Sequence, residues 1–223
     1  MGVIWGLTHY GKPEDFAWDV VSGVSAGAIN TGGIATWPTG TEVGMTEWLS
    51  NYWATMTTHE VWTLRQGSAR DLLFKEPSFL NDDPALATLN DIVSDQGTIA
   101  RAFTVSAVDT NTGDYIAMTQ DNTTFDTLAQ SSLSSGSIPV VFPPQLLNGF
   151  VFMDGGTVWN VNLDSAIKEC MKVVDDYSDI ILDVAICGYN PIPEADIEKN
   201  AIKNWMAAKN IKDYYHGTNS LFA

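Results

Sequence analysis

Residues 19–30 read Asp-Val-Val-Ser-Gly-Val-Ser-Ala-Gly-Ala-Ile-Asn. Ser25 stands between Gly23 and Gly27, in a Gly-x-Ser-x-Gly pattern. The stretch Phe16 to Val21 before it reads as a short strand, and a helix opens after it at Ala26. A strand that turns straight into a helix leaves little room at the bend. Side chains two residues to either side of the serine would collide, and glycine removes that collision. This is the pattern of a nucleophile elbow. The serine then sits at a helix N-terminus, whose partial positive charge favours negative charge developing nearby.

The rest of the chain repeats the alternation of strand and helix. Val3, Ile4 and Leu7 carry a helical spacing. Met45 to Thr58 and Ala85 to Ser94 predict amphipathic helices. Ala102 to Val108 and Asp114 to Thr119 predict a hairpin about the turn Asp109 to Gly113. Phe125 to Ser132 reads as a short helix and Pro139 to Pro144 as an extended segment. Phe150 to Met153 is a strand ending at Asp154-Gly155-Gly156. Leu163 to Val173 predicts a helix, Asp179 to Ile186 a buried strand, and Ile197 to Lys209 a final helix with Ile202 and Trp205 inward. This order points to an α/β layer architecture with a largely parallel sheet.

Composition narrows the partners. The chain has 223 residues, 45% of them hydrophobic, enough for one sizeable core. Its formal net charge of −16 repels phosphate backbones, so nucleic acid is an unsuitable partner. The same charge argues against electrostatic docking on anionic lipid, so any membrane contact has to be apolar or local. No apolar run approaches the roughly 20 residues that cross a bilayer. The opening residues lack the basic head and long apolar stretch of a signal peptide. The expected location is cytoplasmic, with at most peripheral membrane contact. Cys170 and Cys187 form no metal-binding spacing and read as two buried thiols. Asp82-Asp83 and Asp175-Asp176 read as solvated acidic faces.

A serine nucleophile needs a base. His9, His59 and His216 read as surface or packing residues. The order Ser25, Asp154, His216 matches the triad order of α/β-hydrolases, but only 24 residues precede Ser25, and that fold places several strands before its elbow. Asp154 offers another route: an acid at a strand end, followed by glycines that let the backbone turn close to a neighbour. An ordinary Asp-Gly turn reads the same way.

Four ordered blocks together resemble the patatin-like phospholipase family. They are Gly23-Val24-Ser25-Ala26-Gly27-Ala28-Ile29-Asn30, Ala107 to Gly113, Ser134 to Pro144, and Met153-Asp154-Gly155-Gly156 with Asn160 beyond it. The resemblance implies a three-layer α/β/α sandwich with a mostly parallel central sheet. It implies a Ser25–Asp154 dyad without histidine, supported by Gly23, Gly27, Gly155 and Gly156. A carboxylate serves as a base only where its surroundings are partly dehydrated. The implied reaction hydrolyses a phospholipid or another acyl-ester lipid through an acyl-enzyme, as an A-type phospholipase or neutral lipid esterase. It needs no metal and no organic cofactor, and it implies transient contact with a lipid surface.

Two departures from the family pattern bear on activity. Met1 to Leu7 is similar to the middle of the family's first helix. The 1–223 chain is therefore expected to be a single domain without the family's first strand and its glycine-rich oxyanion loop. Losing one oxyanion donor typically costs about 100–1,000-fold in rate. The alternative is a catalytically impaired member that binds lipid or a protein partner. Asn162 stands where the family usually has proline, a change expected to be minor. Residues 37–83 match nothing in the family pattern and form a candidate cap or insertion. They hold Trp37, Trp48, Trp53 and Trp62, which read either as packing under a loop-rich flank or as a lipid-facing lid.

Overall fold

The computed structural model describes residues 1–187 together with 203, 204, 207, 208 and 211. The chain opens with α1 (Gly2–Tyr10), a 3₁₀ turn (Pro13–Phe16), β1 (Val20–Gly23) and α2 (Ala26–Ile34). After α3 (Glu42–Thr55) comes a small ribbon: β2 (Thr63–Leu64), α4 (Ala69–Phe74) and β3 (Leu80–Asn81), with β2 and β3 antiparallel. α5 (Asp83–Ser94) leads into β4 (Ala102–Asp109) and β5 (Tyr115–Thr119), the expected hairpin. α6 (Phe125–Ser135), β6 (Gln145–Leu147), β7 (Phe150–Asp154) and α7 (Leu163–Cys170) follow. Among the described residues, no helix is long and apolar enough to cross a membrane.

β4 explains the layers. Side chains alternate across a strand, so one covered on both sides is buried along its whole length. Phe103, Val105 and Ala107 enter the main core with Leu128 and Leu133 of α6 and Ala28 of α2. Thr104, Ser106 and Val108, between them, are buried as well. That second face lies toward α7, which packs on β1 and β4. Helices on both faces of one sheet make an α/β/α sandwich. Met45 and Leu49 of α3 and Leu89, Ile92 and Val93 of α5 extend the core, each at helical spacing. Full burial of one such side chain contributes roughly 1.5–3 kcal/mol.

The pairing directions decide where the functional residues fall. β1 runs parallel to β4, from Val20 opposite Ala102 to Gly23 opposite Val105. β7 runs antiparallel to β4, with Phe152 opposite Asp109 and Asp154 opposite Ala107. β5 occupies the edge of β4 along 104–108, so β1 and β7 share the other edge. β1 stops at Val105 and β7 stops at Ala107. Their C-terminal ends therefore meet head to head across Ser106. The expected parallel pairing is found in this core pair, β1 on β4, while β5, β7 and β6 attach antiparallel and make the sheet mixed.

Several local expectations are corrected. The first strand begins at Val20 rather than Phe16. Buried Arg101 holds the Trp18 carbonyl with Nη1 at 3.0 Å and draws residues before β1 out of the sheet. Its guanidinium also donates to the Trp37 and Pro38 carbonyls and pairs with buried Glu42 at 3.0 Å. Pro139 to Pro144 is a turn, with Val140 at a φ of 73°. Residues 179–186 form no strand: Ile181 is 88% exposed, and Asp183 accepts a hydrogen bond from the Trp18 indole. α7 ends at Cys170, short of Val173. Asp82 is buried, bonded to Gln145 at 2.7 Å, and burial pushes its carboxyl pKa up. Cys170 is half-buried and Cys187 exposed, both as free thiols. The helix expected over Ile197 to Lys209 lies largely outside the described residues, and His216 lies wholly outside them.

Candidate active site at the β1–β7 junction

Ser25 follows β1 by two residues and caps α2. Its backbone sits at φ 56° and ψ −124°, a conformation that costs a non-glycine residue about 1–3 kcal/mol and persists only where neighbours over-determine it. Those neighbours are visible. The Ser25 N–H donates to Ser135 Oγ at 3.0 Å, and the Ser135 hydroxyl donates to the Ser106 carbonyl at 2.6 Å. The elbow is thus tied to the end of α6 and to the residue of β4 that the two strand ends flank.

The Ser25 hydroxyl donates to Asp154 Oδ2 at 2.6 Å. Asp154 is only 4% exposed. Its other oxygen accepts the Gly156 N–H at 2.7 Å, and its own N–H donates to the Ser137 carbonyl at 2.9 Å. The elbow hydroxyl and the turn after β7 thus hold the carboxylate, while the segment after α6 holds the backbone that carries it.

The four supporting glycines divide. A Cβ on Gly23 would run into the Gly27 carbonyl and the Thr31 hydroxyl. A Cβ on Gly155 would overlap the Ser106 carbonyl and press on Val24. At Gly156 it would stand 2.9 Å from Asn160 Oδ1 and 3.0 Å from Asp154 Oδ1. Gly27 faces open space, so the collision expected on that side of the serine is absent. The bend is crowded where β1 enters it and open where α2 leaves.

Residues that the sequence reading did not assign complete the site. Asn162 is buried, caps α7 by accepting the Ser165 N–H, and donates to Ser106 Oγ at 2.6 Å. A proline could do none of this, so the substitution expected to be minor anchors the layer beneath the junction. Asp109 accepts the Val151 N–H at 3.3 Å and bonds Asn111 and Thr112, which fixes both the hairpin turn and the start of β7. Tyr115 donates to the Trp159 carbonyl at 3.0 Å and packs edge-on against its indole at 5.1 Å. Burial chiefly pushes its phenol up to about 12, and the Asp154 charge adds to the shift. In the sequence Asp109 stood out only as the start of a hairpin turn, Ser135 as a member of the small-residue block and Asn162 as a departure from pattern.

Neither of the two described histidines enters this site. His9 bonds Glu47 at 3.2 Å and stacks on Trp5. His59 lies exposed in a 3₁₀ turn. Among the described residues, no cluster of histidine, cysteine and carboxylate groups is placed to hold a metal ion. Of the tryptophans in residues 37–62, Trp37 and Trp48 pack against the core, while Trp53 is exposed and its indole donates to Asn30 at 2.7 Å.

The family model of patatin-like phospholipases matches residues 1–167, which contain the whole junction. The chain belongs to the patatin-like phospholipase family. The chemistry of that family is hydrolysis of lipid acyl esters. Among solved structures, VipD from Legionella pneumophila is similar at 19% identity and a TM-score of 0.26. That match covers 54% of this chain and 20% of VipD. No curated protein matches the chain.

Proposed function

We propose that this chain hydrolyses acyl esters of phospholipids or neutral lipids through a Ser25–Asp154 dyad and an acyl-enzyme. The observation that carries the reading is the 2.6 Å hydrogen bond from a strained elbow hydroxyl to a buried carboxylate. In attack, Ser25 Oγ bonds to the ester carbonyl carbon while its proton passes to Asp154 Oδ2, and the carbonyl π pair moves onto oxygen. The positive end of α2, from Ala26 onward, lies beside that developing charge. The Ser25 N–H is already engaged by Ser135 and is not its stabiliser.

Collapse breaks the bond to the leaving alkoxide, which takes the proton from Asp154. The acyl group remains on Oγ. Water then attacks the acyl carbon while giving its proton to Asp154. The second collapse releases the fatty acid and returns that proton to Oγ. One carboxylate thus serves as base and acid in turn, and burial leaves it few solvent molecules to compete for the proton. The substrate's acyl chain implies transient contact with a lipid surface.

The test is hydrolysis of a p-nitrophenyl acyl ester by the wild-type chain, Ser25→Ala and Asp154→Asn. Loss of turnover in both variants, with folding intact, supports the dyad. A folded wild-type chain without turnover refutes it and favours the impaired-member reading.

A further inference from the structure

The ribbon from β2 to β3 is unlike the rest of the surface. Leu64, Leu73 and Phe74 are 72%, 62% and 80% exposed, although a soluble surface gains nothing by displaying them together. Cations crowd the same stretch. Of the chain's eleven lysines and arginines, Arg65, Arg70 and Lys75 fall here, against a formal net charge of −16 overall. Two carboxylates accompany them, Asp71 at 2.6 Å from Lys75 and Glu76 at 3.7 Å from Arg65. Locally the charge is therefore about balanced, on a molecule that is elsewhere strongly acidic. α4 thus carries two large apolar side chains beside long cationic ones whose methylene stems can lie along lipid while their heads meet phosphate.

The ribbon is also joined to the dyad through the backbone. Phe79 and Leu80 donate N–H bonds to the Val140 and Val141 carbonyls at 2.9 and 3.0 Å. Val140 belongs to the turn that leaves Ser137, whose carbonyl holds the Asp154 N–H. Ile138 and Val140 in that turn are exposed too. Buried Asp82, just past β3, ties the same end of the ribbon to Gln145 of β6. Exposed apolar side chains thus stand both on α4 and in the turn beside Asp154, and β3 joins the two segments through its backbone.

We propose that residues 63–81 dock on a zwitterionic phospholipid surface. Leu73 and Phe74 enter the acyl boundary, and Arg70 and Lys75 meet the headgroup phosphates. Charge selects this occupant. The overall negative charge disfavours strongly anionic membranes, while the local cations match the phosphate oxygens of a neutral headgroup layer. Docking sets the turn at Ile138 and Val140 against the source of substrate. The inference rests on the lipid acyl hydrolase reading for its purpose, but its test does not.

The experiment is co-sedimentation of the Ser25→Ala chain with phosphatidylcholine vesicles. It is run beside the same chain carrying Leu73→Ser and Phe74→Ser, and beside one carrying Arg70→Glu. The double change should lower partitioning by about tenfold or more, as expected for removing two large apolar groups from the interface. Arg70→Glu should lower it severalfold. Thermal melting should be unchanged in all three, since the side chains are exposed. With Ser25 intact, hydrolysis of a soluble p-nitrophenyl ester should be the same with and without the double change. Equal partitioning of the double variant, or no partitioning of the Ser25→Ala chain, would overturn the docking surface and leave the hydrolase reading standing. Vesicle binding lost on the double change, in a chain whose Ser25-intact form hydrolyses no soluble ester, would support the surface and refute the hydrolase reading.

Discussion

The β1–β7 junction and the ribbon at residues 63–81 hold their shape by different means. At the junction, two strand ends converge on one edge of β4, and backbone groups of Ser25, Ser106, Ser137, Asp154 and Gly156 are fixed by hydrogen bonds within a buried volume. In the ribbon, strands of two residues flank a helix of six, and the large apolar side chains point outward. Crowding makes the first region intolerant and exact in geometry. Exposure makes the second tolerant, and leaves its side chains available to something outside the protein. The proposed hydrolysis draws on the first property and the proposed docking on the second.

The sharpest break in this contrast is chemical. Asp154→Asn keeps the size of the side chain and removes the base, so ester turnover should fall by about 100–10,000-fold while the melting temperature moves little. Turnover near wild type would remove Asp154 from the mechanism. Next is the support behind β1. Arg101→Met leaves Glu42 buried without its 3.0 Å partner and frees three carbonyls, so stability should drop by about 3–5 kcal/mol. Denaturant titration measures the drop, and the melting temperature should fall by roughly 10 °C in a chain of this size.

The glycines sharpen the comparison inside the junction itself. Gly155→Ala forces a Cβ into the Ser106 carbonyl and should cost at least about 3 kcal/mol. Gly27→Ala meets open space within a helix and should gain up to about 1 kcal/mol. Equal effects at the two positions would mean that the crowding is not one-sided. A smaller effect is titratable. The Tyr115 phenol is neutral in both folded and unfolded chains below pH 10. The unfolded chain ionises first, so stability should decline from about pH 10 to about pH 12 and then level off. Tyr115→Phe should flatten that part of the stability–pH curve. The least effect belongs to the ribbon: Phe74→Ser should alter stability by no more than about 0.5 kcal/mol.

The strand–turn–helix about Ser25, the hairpin at Asp109 and the acid at the end of β7 were all legible in the sequence. Each rests on local signals such as glycine placement, strand periodicity and turn residues. What escaped depends on partners remote in sequence. Phe16 to Trp18 has strand composition, yet Arg101 on a distant element takes the Trp18 carbonyl and the ladder starts later. Residues 179–186 have the composition of a buried strand but no ladder partner among the described residues. Asp82 looked solvated beside Asp83 until Gln145 buried it. Ser135 and Asn162 are polar residues of small size, and nothing in their immediate neighbours shows that one braces the elbow and the other braces Ser106.

The head-to-head meeting of β1 and β7 carries a consequence in time. Ser25 and Asp154 are 129 residues apart in the chain, and the strand they meet across lies between them. At a synthesis rate of roughly 5–20 residues per second, the growing polypeptide holds Ser25 for about 6–26 seconds before Asp154 is even made. The elbow can form early, but Ser25 has no Asp154 to bond until β7 closes on the far end of β4. Under the proposed mechanism a ribosome-bound chain therefore carries a silent serine, and activity begins only as the sheet is completed.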